Sequence, residues 1–290
     1  MIRIGIIGSD NSHAQRFPEL TNIPVPEWPA EKHVDGAKVV AIFGTDPART
    51  QEVATAARIP TIVNDPAEMI GMIDAAMVVW RHGGLHRQYA EPFIAAGIPT
   101  FVDKPLATTV EDAQALVKLA QRKGTPMVSF STLRYDKGFL KFVEDIKGIA
   151  PVRTAVYTSH GDTESEYGGL IFYSIHAIEM MHAAHGIGVQ EVRAYKHGPN
   201  FMALMGHKDG TLLALNILAT SHGFFCQAYG DKGHQLMQVT GSDFYIEGLK
   251  RFLEMVRTGK APVSMDEMLE SIRVAKAVER SLASGRTIKL

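Results

Sequence analysis

The stretch Ile2-Arg3-Ile4-Gly5-Ile6-Ile7-Gly8-Ser9-Asp10-Asn11-Ser12-His13-Ala14 decides how this chain folds. Ile2–Ile7 is an apolar run of strand length that passes into small residues suited to a tight turn and then a helix start. α/β proteins hold a dinucleotide pyrophosphate at such a junction, because unpaired backbone N–H groups and the positive end of the helix dipole attract anions. The usual pattern is G-x-G-x-x-G/A, and its three positions here are Gly8, Asp10 and His13. Only the first is glycine, and Asp10 brings a carboxylate where the backbone should approach phosphate. The expectation is a cofactor-binding turn of Gly8, Ser9, Asp10, Asn11, Ser12 and His13. In it Asp10 points away to cap the helix beginning near Ser12, Arg81 neutralises it, and Ser9, Asn11 and Ser12 donate to phosphate.

Working outward, strand and helix patterns alternate. Strands are expected at Lys38–Phe43, Thr61–Val63, Ala75–Trp80, Thr100–Val102 and Pro126–Phe130, and helices at Pro47–Ala57, Leu85–Ala96 and Thr109–Lys123. Continuous apolar strands in such alternation imply a parallel sheet covered on both faces. The stretch from Phe17 to Gly36, with Pro18, Pro24, Pro26, Pro29 and Trp28, reads as an irregular surface loop. After Thr132 the pattern changes. Helices are expected at Lys137–Lys147 and Leu170–His185, and strands at Val152–His160, Val189–Lys196, Asn200–His207, Thr211–Thr220, Phe224–Tyr229 and Gln235–Thr240. Helices at Ser242–Thr258 and Ser264–Ala283 close the chain. Turn signals such as Lys208-Asp209-Gly210 imply antiparallel pairing. The expected class is α/β: a Rossmann-type parallel sheet over residues 1–123, then an α+β domain over 124–290 with a large, mainly antiparallel sheet. The last helix has the option of packing back on the first domain. The second sheet needs a cover for its other face, and a partner copy in a homo-dimer or homo-tetramer is the expected one.

The 290 residues suffice for two domains. A net charge of −1 gives no electrostatic case for nucleic acid or an anionic membrane surface. The single cysteine, Cys226, fits a reducing compartment. The start Met-Ile-Arg-Ile-Gly leaves no room for a signal peptide, and no apolar run approaches the roughly 20 residues that span a bilayer. A cytoplasmic enzyme with a small-molecule substrate is the expectation.

In order along the chain, several segments resemble the glucose–fructose oxidoreductase, inositol dehydrogenase and rhizopine-catabolism (Gfo/Idh/MocA) oxidoreductases. They are the opening strand and turn, Val78–His86 (VVWRHGGLH), the Asp103-Lys104-Pro105 segment, Gly168-Gly169 through His176, the Gly230-Asp231-Lys232-Gly233 turn and the ending Ser281–Leu290. The resemblance implies hydride transfer between NAD or NADP and a carbinol of a sugar, polyol or hydroxy acid. It implies that Lys104 and His176 handle the proton, that Tyr173 and Glu179 join them at the substrate, and that His86 and Asp103 help hold the cofactor. One departure is that Phe172 stands where many relatives carry an aspartate four residues before the histidine; His176 to Glu179 conserves a charge nearby.

At the end of the second strand, where an acidic residue normally accepts from the adenosine ribose, the chain reads Gly44-Thr45-Asp46-Pro47-Ala48-Arg49. Asp46 suits a helix cap ahead of Pro47. Thr45 and Arg49 suit a 2′-phosphate, which tilts the expectation to NADP over NAD. His176, Glu179, His182 and His185 recur every third residue, and His160 and His222 add to a metal reading. None of these residues forms an H-x-x-x-H or H-E-x-x-H unit, so no metal is expected. Two further readings stay open: a lyase or hydrolase of the same fold with a histidine-rich site, and a non-catalytic nucleotide- or sugar-binding protein.

Overall fold

The computed structural model describes residues 1–290 apart from Pro26, Trp28, Ser221, His222, Ser242 and Asp243. Two compact units emerge. The first comprises residues 1–107, 111–130 and 245–265, and the second 108–110, 131–244 and 266–290.

In the first unit, β1 (Ile2–Ile7), β2 (Ala37–Phe43), β3 (Thr61–Ile62), β4 (Ala75–Val78), β5 (Thr100–Val102) and β6 (Met127–Val128) form one sheet in the order β3-β2-β1-β4-β5-β6. Every pairing is parallel. The order reverses between β1 and β4, the switch point where open α/β sheets leave a crevice at the carboxyl ends of their strands. Helices α1 (His13–Asn22), α2 (Pro47–Ala56), α3 (His86–Ala95) and α4 (Val110–Lys123) connect the strands. Ile4, Ile6, Ile7, Ala75 and Val78 are fully buried, as strands covered on both faces require. α7 (Phe244–Thr258) groups with this unit through Phe252, whose ring lies 5.8 Å from that of Phe101 on β5.

The expected loop from Phe17 to Gly36 is corrected at its start: residues through Asn22 complete α1, with Pro18 inside it. Proline lacks the N–H that would reach back one turn. The helix persists because Phe17, Leu20 and Pro18 are buried on its inner face. Two residues of the expected loop, Pro26 and Trp28, lie outside the described residues.

In the second unit, β7 (Val152–His160), β8 (Val189–His197), β9 (Asn200–His207), β10 (Leu212–Leu218), β11 (Phe225–Gly230), β12 (Gly233–Gln238) and β13 (Ile288–Lys289) form a sheet in the order β12-β11-β7-β10-β9-β8-β13. Only β7 and β10 pair in parallel. Three helices accompany it: α5 (Lys137–Gly148), α6 (Ile171–His185) and α8 (Met265–Ser284). α6 is buried nearly all round, so its polar residues must find partners inside the protein. The two-residue β13, which extends the sheet beside β8, carries too little pattern to be seen in sequence.

Candidate functional site

The turn after β1 has the form an anion site needs. Gly8 sits at φ +108°, and a Cβ there would come within 2.8 Å of the Trp80 backbone nitrogen. Only glycine suits both constraints. The backbone N–H groups of Ser9, Asp10, Asn11 and Ser12 find no acceptor among the described residues. Four successive bare amides at the N-terminus of α1 are what a pyrophosphate would meet.

The side chains of the turn behave differently from expectation. Asp10 does not cap α1. Its Oδ1 accepts from the backbone N–H of Arg81 at 3.1 Å, which ties the turn to the loop after β4 through main chain. Ser12 is the N-cap residue but makes no side-chain capping bond; Asn11, just before it, accepts from the His13 N–H through Oδ1 at 3.1 Å and donates through Nδ2 to Asp103 Oδ2 at 3.0 Å. The Ser9 hydroxyl is buried and lies 2.9 Å from Thr50 Oγ1. Thr50 donates its own proton to the Asp46 carbonyl at 2.7 Å, so Ser9 is the donor of the pair and does not face phosphate. Ser12 is exposed and makes a long 3.4 Å contact to Asn11 Oδ1.

Beneath this turn lies Asp103, at the end of β5 and 1% exposed. One oxygen takes Asn11 Nδ2 and the His13 Nδ1 at 2.6 Å; the other takes the Lys104 N–H at 2.7 Å. A carboxylate only accepts, so His13 carries its proton on Nδ1. Burial opposes ionisation, but the neighbouring His13, Lys104 and His86 outweigh it and hold the Asp103 carboxyl below the ordinary value. His13 thus replaces the third glycine with a side chain that clamps the turn to β5, its ring also edge-on to Phe17 at 5.5 Å and Tyr245 at 5.4 Å. Asp103 is a clamp as well, and its buried oxygens leave no surface for a cofactor. Lys104 follows it, 7% exposed, at the carboxyl edge of the sheet.

His86 is also corrected. It is fully buried, with Nδ1 2.7 Å from the Pro105 carbonyl and Nε2 2.9 Å from that of Trp80. Burial pushes its pKa down, while the two carbonyls and the Asp103 charge pull the other way. A ring without exposed surface does not touch a cofactor; it braces the loop after β4 against the segment after Lys104.

At the end of β2, a Cβ on Gly44 would lie 2.1 Å from Ser9 Oγ and 2.3 Å from Thr50 Oγ1. The acidic residue common at this place therefore has no room. Asp46 caps α2 through the Ala48 and Arg49 N–H groups. Thr45 is exposed, and Arg49 Nε reaches the Ser9 carbonyl at 3.3 Å, placing a guanidinium beside the turn.

The second unit gathers the remaining candidates on α6. His176 Nδ1 lies 2.6 Å from the hydroxyl of Ser131, a fully buried residue that opens the 3-10 turn Thr132–Tyr135. Glu179, one turn on, accepts from the Ser131 backbone N–H. Glu179 is 5% exposed and acts here on the main chain that carries Ser131. The Tyr173 ring stands edge-on to His160 at 4.9 Å and tilted to His176 at 6.0 Å. Sequence reading missed Ser131. A serine three residues after a buried strand end and just before a helical turn was the available signal.

His182 and His185 continue along α6 into the interior. His182 Nδ1 is 2.9 Å from Ser271 Oγ, and His185 packs edge-on to Tyr157 at 5.8 Å. Among the described residues no group of three or more His, Cys, Asp or Glu is arranged to hold a metal ion; His222, part of the metal reading, lies outside them. Burial, with Arg134, His207 and His185 nearby, pushes His182 down to about 3. Burial and His207 push His185 down to about 4, against the pull of Asp209. Both are therefore neutral when folded, whereas in the unfolded chain they take protons below about pH 6.5. The unfolded state binds more protons in that window, so stability falls as pH falls through it. We expect the second unit to lose on the order of 3 kcal/mol between pH 6.5 and 5. Urea denaturation at the two pH values checks this, and an unchanged midpoint would contradict it.

The comparisons with known proteins fit this geometry. A family model described as "Oxidoreductase family, NAD-binding Rossmann fold" (GFO_IDH_MocA) matches residues 2–130. The inositol 2-dehydrogenase of Acidothermus cellulolyticus is 30% identical over 151 residues, a match covering 50% of this chain and 40% of that relative. The matched stretch is thus less than half of the relative's length. Among solved structures, the myo-inositol dehydrogenase of Lactobacillus casei in complex with NAD(H) and myo-inositol superposes with a TM-score of 0.85 at 18% identity, over 100% of this chain and 97% of that one. An oxidoreductase of Agrobacterium radiobacter in complex with NAD+, L-tartaric acid and magnesium gives 0.83 at 15% identity, over 99% and 98%. At these identities the likeness shows the fold, and it extends that fold through the second unit. Residues 2–130, with the opening strand, the Gly8 turn and the Asp103-Lys104-Pro105 segment inside the match, are thus similar to the NAD-binding Rossmann part of the Gfo/Idh/MocA oxidoreductases.

Proposed function

We propose that the protein is an NAD(P)-dependent oxidoreductase acting on a carbinol of a sugar, polyol or hydroxy acid. The observation that carries this reading is the run of four bare amides from Ser9 to Ser12, in the same unit as the buried Lys104 side chain. Bound there, a nicotinamide dinucleotide supplies the acceptor for the carbinol hydride. The turn amides and the α1 dipole hold its pyrophosphate, and the Arg49 guanidinium, paired with Glu52 at 2.7 Å, lies beside them. Lys104, as the free amine, hydrogen-bonds the reacting hydroxyl and takes its proton as the carbonyl forms; in the second unit His176, with Tyr173 beside it, is the group offered to a substrate oxygen. Glu179 contributes by fixing Ser131. The names of the relatives make inositol the first substrate to try.

NADP is the preferred cofactor in this proposal. Gly44 leaves no carboxylate to repel a 2′-phosphate, the Asp46 side chain is engaged as a cap, and Thr45 with Arg49 offers a hydroxyl and a guanidinium. Titration with NADH and NADPH, followed by energy transfer from Trp80, tests both levels of the reading. Binding of NADPH at micromolar levels is expected, and Arg49→Ala should weaken it roughly tenfold with little change for NADH. No binding of either at millimolar concentration would leave the oxidoreductase reading untenable.

A homo-dimer or homo-tetramer through the second sheet is part of the same proposal. Its uncovered face carries Leu236, Tyr229, Leu212, Leu204, Met202 and Tyr195, with Leu236 59% and Tyr195 56% exposed. Their registers place them on one side of β8 to β12. An apolar row of this extent on a sheet is a usual homo-oligomer surface. Sedimentation should give at least a dimer, and Met202→Asp with Leu204→Asp should shift it to monomer. A monomeric parent protein would end this part of the reading. No helix among the described residues is long and apolar enough to cross a membrane.

A further inference from the structure

The contact between Ser131 and His176 decides which ring nitrogen of His176 carries the proton. Ser131 is fully buried, and its hydroxyl has two neighbours: the Leu133 N–H at 3.3 Å and His176 Nδ1 at 2.6 Å. The first is a donor, so it occupies a lone pair of the oxygen. The hydroxyl proton then has one acceptor left, His176 Nδ1. Were Nδ1 protonated, two N–H donors would converge on the oxygen and the buried hydroxyl proton would go unmatched. The opposite polarity would hold if a carboxylate faced Nδ1, since a carboxylate only accepts. Residue 172, one turn before His176, is phenylalanine and supplies none. Glu179 is close but directs its oxygen to the Ser131 backbone N–H, which pins the serine from its main-chain side.

We propose that Ser131 is a positioning residue that holds neutral His176 as the Nε2–H tautomer, so that His176 meets the substrate oxygen as a hydrogen-bond donor and not as its base. The catalytic half of this statement rests on the oxidoreductase reading above; the tautomer does not. The assignment divides the labour at the substrate oxygen. A ring that already carries its Nε2 proton has no lone pair there to receive the hydroxyl proton, and its other nitrogen is engaged by Ser131. The hydroxyl proton then leaves to a base other than His176 in alcohol oxidation, and the donor N–H of His176 stabilises the alkoxide-like oxygen as hydride leaves carbon. In carbonyl reduction the same N–H polarises the carbonyl. No net proton is gained or lost by His176 in either direction. Motif reading alone left it as proton acceptor or orienting donor, because the deciding atom belongs to a residue 45 positions away.

Two-bond proton–nitrogen correlation spectra of the uniformly nitrogen-15-labelled full chain, near neutral pH and without ligand, test the tautomer directly. His176→Gln identifies the resonance by its disappearance. The wild-type ring should show a protonated Nε2 and a bare, hydrogen-bonded Nδ1, and Ser131→Thr should keep that signature. Ser131→Ala should bring a mixture of tautomers, with kcat lowered roughly 10- to 100-fold and the KM for cofactor unchanged; threonine should restore kcat. A protonated Nδ1 in the wild type, or a spectrum and kcat untouched by Ser131→Ala, would overturn the proposal. Failure to bind NADH or NADPH would instead remove the oxidoreductase reading, and the spectra would still decide the tautomer.

Discussion

Lys104→Met should lower kcat/KM for alcohol oxidation by roughly a thousandfold while leaving affinity for the nicotinamide cofactor within about threefold. The expectation follows from where the lysine sits. It comes one residue after the buried Asp103, and its backbone N–H is fixed to that carboxylate at 2.7 Å, so the start of its side chain is held at the carboxyl edge of β5. Methionine has a similar length and fills the same 7% exposed position without a donor or a titrating group. The loss therefore reports chemistry and not a cavity. The amides of Ser9 to Ser12 do not depend on the ammonium, so the cofactor should still bind. If the variant keeps more than about a tenth of wild-type kcat/KM, proton handling at this position is not part of the reaction. Lys104→Arg is a useful companion: the guanidinium keeps the charge but cannot act as a neutral amine, so a comparable loss would assign the deficit to proton transfer.

Much of the first unit was legible because its signals are local. The strand Ile2–Ile7 has its observed ends in the sequence pattern itself, and the expected helix ends at Ala96 and Lys123 fall within a residue of the observed ones. Gly8 was legible as a turn residue, and Lys104 and His176 stood out through the motifs around them. What escaped reading depends on atoms far apart in the chain. The Gly44 position appeared to be a missing ribose acceptor. Its cause is the Ser9–Thr50 pair, which fills the space a side chain would need. His86 looked like a cofactor contact because it lies in a family-like segment, yet both of its nitrogens face carbonyls, one of them 19 residues away. Asp10 looked like the defect of the turn. It is held outward by a backbone N–H 71 residues on, a partner that no local pattern announces. The helix through Pro18 shows the opposite case, in which a strong local stop signal yields to burial of Phe17 and Leu20.

Asp103→Ala should destabilise the first unit by about 3–5 kcal/mol and abolish nicotinamide cofactor binding at concentrations that saturate the wild type. Three donors converge on this carboxylate: Asn11 Nδ2, His13 Nδ1 and the Lys104 N–H. Alanine leaves them all buried without an acceptor, and it releases both turn side chains that fix the start of α1 to β5. Asparagine should be nearly as damaging. Donors sit on both oxygens, so whichever way the amide is turned its NH2 faces another N–H. Glutamate keeps the charge but adds a methylene at a 1% exposed site. The wild type should show the matching pH signature. The folded-state pKa of Asp103 lies below its unfolded value of about 3.9, so the stabilisation is fully present above that value and fades as pH falls through the folded pKa. In Asp103→Ala this component of the acid transition should vanish, leaving the histidine-driven loss that begins below about pH 6.5 in the second unit. Urea denaturation followed through Trp80, buried in the first unit, separates the two. A cost below about 1 kcal/mol with cofactor affinity intact would mean that the turn stands without its clamp. Its anion-binding form would then reside in the Gly8 backbone alone.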